Sequence, residues 1–158
     1  EGRIAVVLTL RTSDLSRHGG QVSLPGGRVE PGETLVGAAL RETHEEIGAD
    51  PGKVEVLGAL SPIHIPVSRF VLHPFVGVTS RLPHWGLDRR EVARVIEVPL
   101  AELVDPARRV VETWHHEGRD YRVPFFAAGG EKVWGATAMI LAEFLWLLGV
   151  ELPPPHGA

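Results

Sequence analysis

The 158-residue chain is 44% hydrophobic and 23% charged, the balance of an ordinary globular protein, and its length suits one domain burying roughly two thirds of its unfolded surface. A net charge of -4 gives no basic footprint for a nucleic-acid backbone, so no nucleic-acid partner is expected. Cysteine is absent, which excludes disulfides, thiolate catalysis and sulfur-ligated zinc and fits a cytoplasmic location.

In chain order, Ile4 to Leu10 is apolar and β-branched enough for a buried strand, and Arg11 to Gly20 is polar and turn-prone. No secretory leader is visible, and the sequence starts inside a strand-like run, which leaves room for residues ahead of Glu1. Gln21 to Leu24 enters Pro25-Gly26-Gly27, where two glycines let the backbone approach a ligand and turn a carbonyl inward. Pro31, Gly32 and Glu33 lie in a turn-rich loop, and an uninterrupted helical run follows from Thr34 to Ile47. Thr34 is the candidate N-cap, Gly48 supplies a left-handed closing residue, and Pro51 forbids continuation.

On that helix Val36, Leu40, Thr43 and Ile47 follow the spacing of one buried stripe. Glu42, Glu45 and Glu46 stand at i, i+3 and i+4, so their carboxylates converge on a second face and repel by about 0.2–0.5 kcal/mol per pair. Taken alone, such a run is also what a solvated acidic helix face looks like. A cation would relieve the repulsion. Arg41 stands four residues before Glu45 and can reach back to Glu30 or Glu33; clustered carboxylates and carbonyls without sulfur select hard ions such as Mg²⁺ or Mn²⁺.

Beyond the helix, Val54 to Leu60 reads as a strand, Ser61 to Arg69 as a loop holding Pro62 and Pro66, and Phe70 to Thr79 as a strand interrupted at Pro74. Arg81 to Arg90 has the composition of a long surface loop, Val92 to Val98 of a strand, and Pro99 opens a short helix ending near Asp105-Pro106. Val110 to His116 and Tyr121 to Phe126, joined through residues 117–120, predict a hairpin. The last helix, about Gly135 to Leu148, is apolar on nearly every side, which means deep burial or a homodimer contact; Glu143 and its short length argue against a membrane span. A Pro-rich tail closes the sequence at 151–158, after a single domain at 1–150. Irregular alternation of strands and helices points to an α/β protein with a mixed sheet between helical layers.

The run through Gly27, Glu33, Arg41, Glu42, Glu45, Glu46 and Gly48 resembles the Nudix box, a coincidence on the order of 10^-8 per start position at average residue usage. Thr43 and Ala49 are smaller than the aliphatic residues the pattern prefers. The resemblance implies the Nudix-type α/β/α sandwich and a metal-dependent pyrophosphohydrolase. It implies that Glu42, Glu45 and Glu46, with the Gly26 carbonyl, hold Mg²⁺ or Mn²⁺, that Arg41 orients a glutamate, and that Glu33 assists from outside the metal shell. Many members of the family take a further base or ligand from a distant loop. Glu91 is the candidate here, with Glu97, Glu112 and Glu117 left open. His115 and His116 are adjacent on a strand, so they point to opposite faces and are read as structural; His44 is read as solvated.

Val7-Leu8-Thr9, Arg17-His18, Gly20-Gln21-Val22 and Leu24-Pro25-Gly26-Gly27 are similar to the signature ahead of the box in coenzyme A pyrophosphatases, with Thr12, Ser16 and Leu24 departing from it. Glu91-Val92 through Val98-Pro99-Leu100, and Val133 to Ala138, also look like that branch. The implied reaction cleaves coenzyme A or acyl-coenzyme A into adenosine 3',5'-bisphosphate and 4'-phosphopantetheine, a small-molecule nucleotide substrate with no membrane partner. Arg11, Arg17 and His18 are the cations expected to meet its phosphates. Pro62 keeps ADP-ribose or another nucleotide sugar as an alternative, and a nucleotide-sensing module without catalysis is a second one. Tyr121, the only tyrosine, lies far from the box, against a diadenosine polyphosphate substrate.

Overall fold

The computed structural model describes residues 4–13, 19–66, 68–80 and 84–152. Along the chain lie β1 (Ala5–Arg11), β2 (Val22–Ser23), α1 (Leu35–Ile47), β3 (Glu55–Ala59), β4 (Ile63–Ile65), β5 (Phe70–Leu72) and β6 (Phe75–Val78). Then come β7 (Val92–Pro99), α2 (Leu100–Leu103), β8 (Arg109–His116), β9 (Arg119–Ala128), β10 (Glu131–Trp134) and α3 (Gly135–Leu147). They fall into two compact units, Val7–Ile96 and a second made of residues 1–6 with 97–158.

In the first unit β2, β1 and β7 form a sheet in that order. Strands β1 and β2 run antiparallel, with Thr9 opposite Ser23 and Leu10 opposite Val22. Leu8 and Thr9 are fully buried, and the Thr9 hydroxyl is satisfied inside the sheet by donating to the Ser23 carbonyl at 3.2 Å.

Helix α1 starts as its sequence dictates. Thr34 is the N-cap, with Oγ1 accepting from the Gly37 amide at 3.1 Å. Gly48 ends the helix at φ 75, its amide donating to the His44 carbonyl at 2.8 Å. The buried face differs from the expected stripe: Ala38, Glu46 and Ile47 are buried, whereas Val36, Leu40 and Thr43 are only half-buried. The reason is the segment 84–92, which covers the last helical turn. The Gly86 amide donates to the Ile47 carbonyl and the Asp88 amide to the Glu46 carbonyl, both at 3.0 Å. Ile47, Ala49 and Val92 form a small core there, packed by Val7, Trp85, Leu87 and Val95. Part of the expected surface loop is therefore core: Trp85 and Leu87 face inward.

The expected loop at 61–69 contains a strand. Pro62 and Pro66 bracket Ile63-His64-Ile65, whose β-branched alternation pairs antiparallel with Phe70 to Leu72. Strands β3 and β6 also pair antiparallel, with a register shift between Val56 and Gly58, and the Leu60 amide donates to the Pro74 carbonyl at 2.9 Å between the two pairings. Pro74 sits between β5 and β6, where no ladder donor is needed.

In the second unit the strand order is β10, β9, β8, all antiparallel. Strands β8 and β9 pair His116 with Arg119, so the connection is the two-residue turn Glu117-Gly118, with φ of 48 and 72, tighter than the sequence suggested. Strand β10 was not expected; Gly129 and Gly130, both at positive φ, turn the chain into it. Helix α3 buries Ala138, Ile140, Leu141 and Leu145 and leaves Met139, Trp146 and Leu147 exposed. Among the described residues no helix is long and apolar enough to cross a membrane.

Gly48 combines two constraints, a left-handed φ and a Cβ position only 2.9 Å from Gly86 Cα. Gly48→Ala is therefore expected to destabilise the protein by about 1–2 kcal/mol from the backbone conformation alone, and by more once the helix end is pushed off Gly86. Chemical denaturation against Gly52→Ala, where φ is not left-handed, checks this.

Candidate active site

Arg41 is the centre of the carboxylate cluster. Its Nε donates to Glu33 Oε1 at 2.9 Å and its Nη2 to Glu33 Oε2 at 3.0 Å, a bidentate grip. Its Nη1 donates to Glu42 Oε1 at 2.9 Å and Glu45 Oε2 at 3.1 Å, and its Nη2 also donates to the Arg28 carbonyl at 2.9 Å. One guanidinium thus ties two helix glutamates to the loop before the helix. The Glu33 carboxyl is held below its ordinary range by the hydrogen bond from Arg41, helped by the Glu30 amide, which donates to Glu33 Oε2 at 3.1 Å.

Glu46 is placed differently. It is 4% exposed, and its Oε2 accepts from the Gly26 amide at 3.0 Å. Burial pushes its carboxyl up to about 7, against the Gly26 hydrogen bond and the Arg11 charge, which favour ionisation; Glu91 and Glu42 add like-charge repulsion. The glycines make room for this. Gly26 has φ 143, and a Cβ on Gly27 would overlap the Glu42 carboxylate. Gly27 is thus fixed by the closeness of the helix, and Gly26, where a Cβ would meet nothing, by its backbone conformation alone.

Arg11, at the end of β1, reaches both remaining acids. Its Nη1 is 3.8 Å from Glu46 Oε1 and its Nη2 is 3.9 Å from Glu91 Oε2. Glu91 is carried there by backbone pairing: the Thr12 amide donates to the Glu91 carbonyl and the Thr12 hydroxyl to the Arg90 carbonyl, both at 3.0 Å. The Glu91 side chain is half exposed, open to solvent on one side.

The structure therefore gathers Glu33, Arg41, Glu42 and Glu45 in one set and Arg11, Glu46 and Glu91 in an adjoining one, linked through the Gly26-Gly27 turn. Arg17 and His18 lie outside the described residues. Glu112 is occupied by Lys132 Nζ at 2.7 and 2.8 Å, Glu117 sits in the β8–β9 turn, and His115 pairs across that hairpin with Asp120. His44 is exposed, with Nδ1 3.2 Å from the Ala49 carbonyl. Sequence reasoning did not single out Arg28, whose carbonyl Arg41 holds; its position directly after Gly27 was the available signal.

Whether these residues suit a divalent ion is decided by their donors. Among the described residues no three acidic or imidazole groups converge on one point, because Arg41 draws Glu42 and Glu45 together while Glu46 turns toward Gly26 and Arg11. The set is nonetheless all oxygen, lies within two helical turns, and includes a buried carboxyl of raised pKa whose ionised form a nearby cation would favour. In chemistry the donors fit a hard cation.

Residues 1–117 match the NUDIX domain family. Nudix hydrolase NudL of Enterobacter sp. (strain 638), itself named as uncharacterized, is 37% identical over 147 residues, covering 92% of this chain and 76% of that protein. Its counterpart in Klebsiella pneumoniae (strain 342) is 39% identical over 145 residues, covering 91% and 75%. Among solved structures, a MutT/nudix family protein from Enterococcus faecalis superposes with a TM-score of 0.55 at 19% identity; the match covers 92% of this chain and spans 55% of that one. That likeness supports the α/β fold expected from the sequence.

In divalent-free buffer, a carboxyl whose folded pKa lies above its unfolded value of 4.5 leaves stability untouched below that value. It lowers stability as pH rises from there to about 7, because only the unfolded chain then gives up the proton readily. The stability of the wild type relative to Glu46→Gln is expected to fall by about 3 kcal/mol across that window. Paired urea denaturation curves at pH 4.5, 6 and 7.5 measure it; a flat difference would mean that Glu46 ionises as freely as in the unfolded chain.

Proposed function

This chain belongs to the Nudix family and is a pyrophosphohydrolase of that family; from that premise we propose that it cleaves the pyrophosphate linkage of coenzyme A or acyl-coenzyme A. The products are adenosine 3',5'-bisphosphate and 4'-phosphopantetheine. Members of the family generally use divalent metal ions such as Mg²⁺ or Mn²⁺. Here Glu42, Glu45, Glu46 and the Gly26 carbonyl would hold the ion, which when bound neutralises phosphate charge and lowers the pKa of water.

The observation that carries the catalytic reading is the buried Glu46 carboxylate, packed on the Gly26-Gly27 turn and faced by Arg11. Arg41 fixes Glu42 and Glu45 relative to the loop, so the anionic face stays pre-oriented. Glu91, half exposed with Oε2 3.9 Å from Arg11, would accept a proton from water. Arg11 offers a guanidinium to a phosphate oxygen, bidentate where geometry allows. The coenzyme A assignment rests on the residues before the box, with Arg17 and His18 reading the 3'-phosphate. The same reading carries a cytoplasmic location and a homodimer contact through α3.

Chelation is expected to abolish turnover and Mg²⁺ or Mn²⁺ to restore it. Glu45→Gln and Glu46→Gln should each lower kcat by roughly 10²–10⁴ with the fold retained by circular dichroism. A metal-supplemented panel of coenzyme A, acetyl-coenzyme A, dephospho-coenzyme A and ADP-ribose, with products identified by mass, tests the substrate. A higher kcat/KM for ADP-ribose would transfer the assignment to a nucleotide sugar. Nucleotide binding without turnover on any substrate would favour a sensing module.

A further inference from the structure

Directly after the glycine turn, the box loop exposes an apolar and cationic patch that the chemistry above leaves unused. The Arg28 guanidinium lies over the Phe70 ring, with Cζ 4.9 Å from its centroid. Phe70 remains 43% exposed and Val29, beside Arg28, 47% exposed. The ring is bedded under a guanidinium, so the two together present an apolar and cationic surface to solvent. The ring is also held in place. Phe70 pairs with Ile65 across the β4–β5 hairpin, and Arg69 before it adopts φ 58, a left-handed conformation rare for a long side chain.

Arg28 is equally fixed at its other end. Its carbonyl accepts from Nη2 of Arg41, the guanidinium that also holds Glu42 and Glu45. One peptide bond, about 3.8 Å between Cα atoms, joins it to Gly27, which packs on the Glu42 carboxylate. A flat, exposed cation laid on an aromatic ring, its backbone tied to the carboxylate cluster, has one face covered and one face and an N–H edge toward solvent. Such a surface stacks against a planar base and hydrogen-bonds to a neighbouring phosphate.

Resting on the pyrophosphohydrolase reading, we propose that Arg28, bedded on Phe70, is a specificity-determining residue that stacks against the base of a nucleoside diphosphate substrate. Lysine cannot replace it, because the ammonium has no plane to stack. Phe70 contributes by orienting the guanidinium.

The test is equilibrium binding by calorimetry, with Mg²⁺ present, of ADP and of methylenediphosphonate, a diphosphate analogue without a base. Arg28→Ala, Arg28→Lys and Phe70→Leu are each expected to weaken ADP binding roughly 10-fold while leaving methylenediphosphonate within about two-fold and the melting temperature unchanged. Equal weakening of both probes would show that Arg28 acts through charge or through the box loop, and would overturn the proposal. So would ADP binding within about two-fold of wild type in any of the three variants, or failure of the wild type to bind ADP. Because binding is read without turnover, a wild type that binds ADP but hydrolyses nothing fails the catalytic reading and leaves this one standing.

Discussion

The arrangement depends on one guanidinium. Arg41 donates to Glu33, Glu42, Glu45 and the Arg28 carbonyl, and without it the carboxylates of the loop before α1 and of its C-terminal half would repel. Hydrogen bonds between ionised groups are roughly twice as strong as neutral ones, and a forked cation meets several acceptors in fixed directions. Arg41 therefore sets the geometry of the loop as well as the charge of the helix face.

A second constraint is the closeness of backbone to helix on either side of that face. Gly27 leaves no room for a Cβ against Glu42, and Gly48 has none to spare against Gly86. The first contact lowers the glycine turn onto the helix and buries Glu46 beneath the Gly26 amide. The second lets the segment 84–92 hydrogen-bond to the last helical carbonyls, and that segment delivers Glu91 to Arg11. A buried acid of raised pKa and a solvent-open acid then share one arginine.

On this loop backbone and side chain meet different neighbours. Gly26 and Gly27 serve the carboxylates through backbone and absence of side chain, while Arg28, the next residue, points its side chain to Phe70. A single tight turn thus feeds an anionic cluster on one side and an apolar, cationic surface on the other.

Local sequence determined what local physics controls. Thr34 and Gly48 fixed the ends of α1 because capping needs only neighbouring atoms, and the i, i+3, i+4 spacing placed Glu42 and Glu45 where Arg41 could take both. The approach of Arg41 to Glu33 was legible for the same reason. Tertiary structure alone decided that Glu46 is buried while Glu45 stays exposed, since helical periodicity says nothing of what covers the last turn; over Glu46 it is the Gly26-Gly27 turn, and over Ile47 it is Trp85 and Leu87, from a stretch whose polar composition suggested surface. The strand at Ile63–Ile65 was hidden because two prolines mask a run that becomes a strand only when Phe70–Leu72 pairs with it. Glu91 could be proposed from sequence but not positioned, because its link to Arg11 runs through pairing between residues 79 positions apart in the chain, Thr12 and Glu91, a contact that exists only once the sheet has formed.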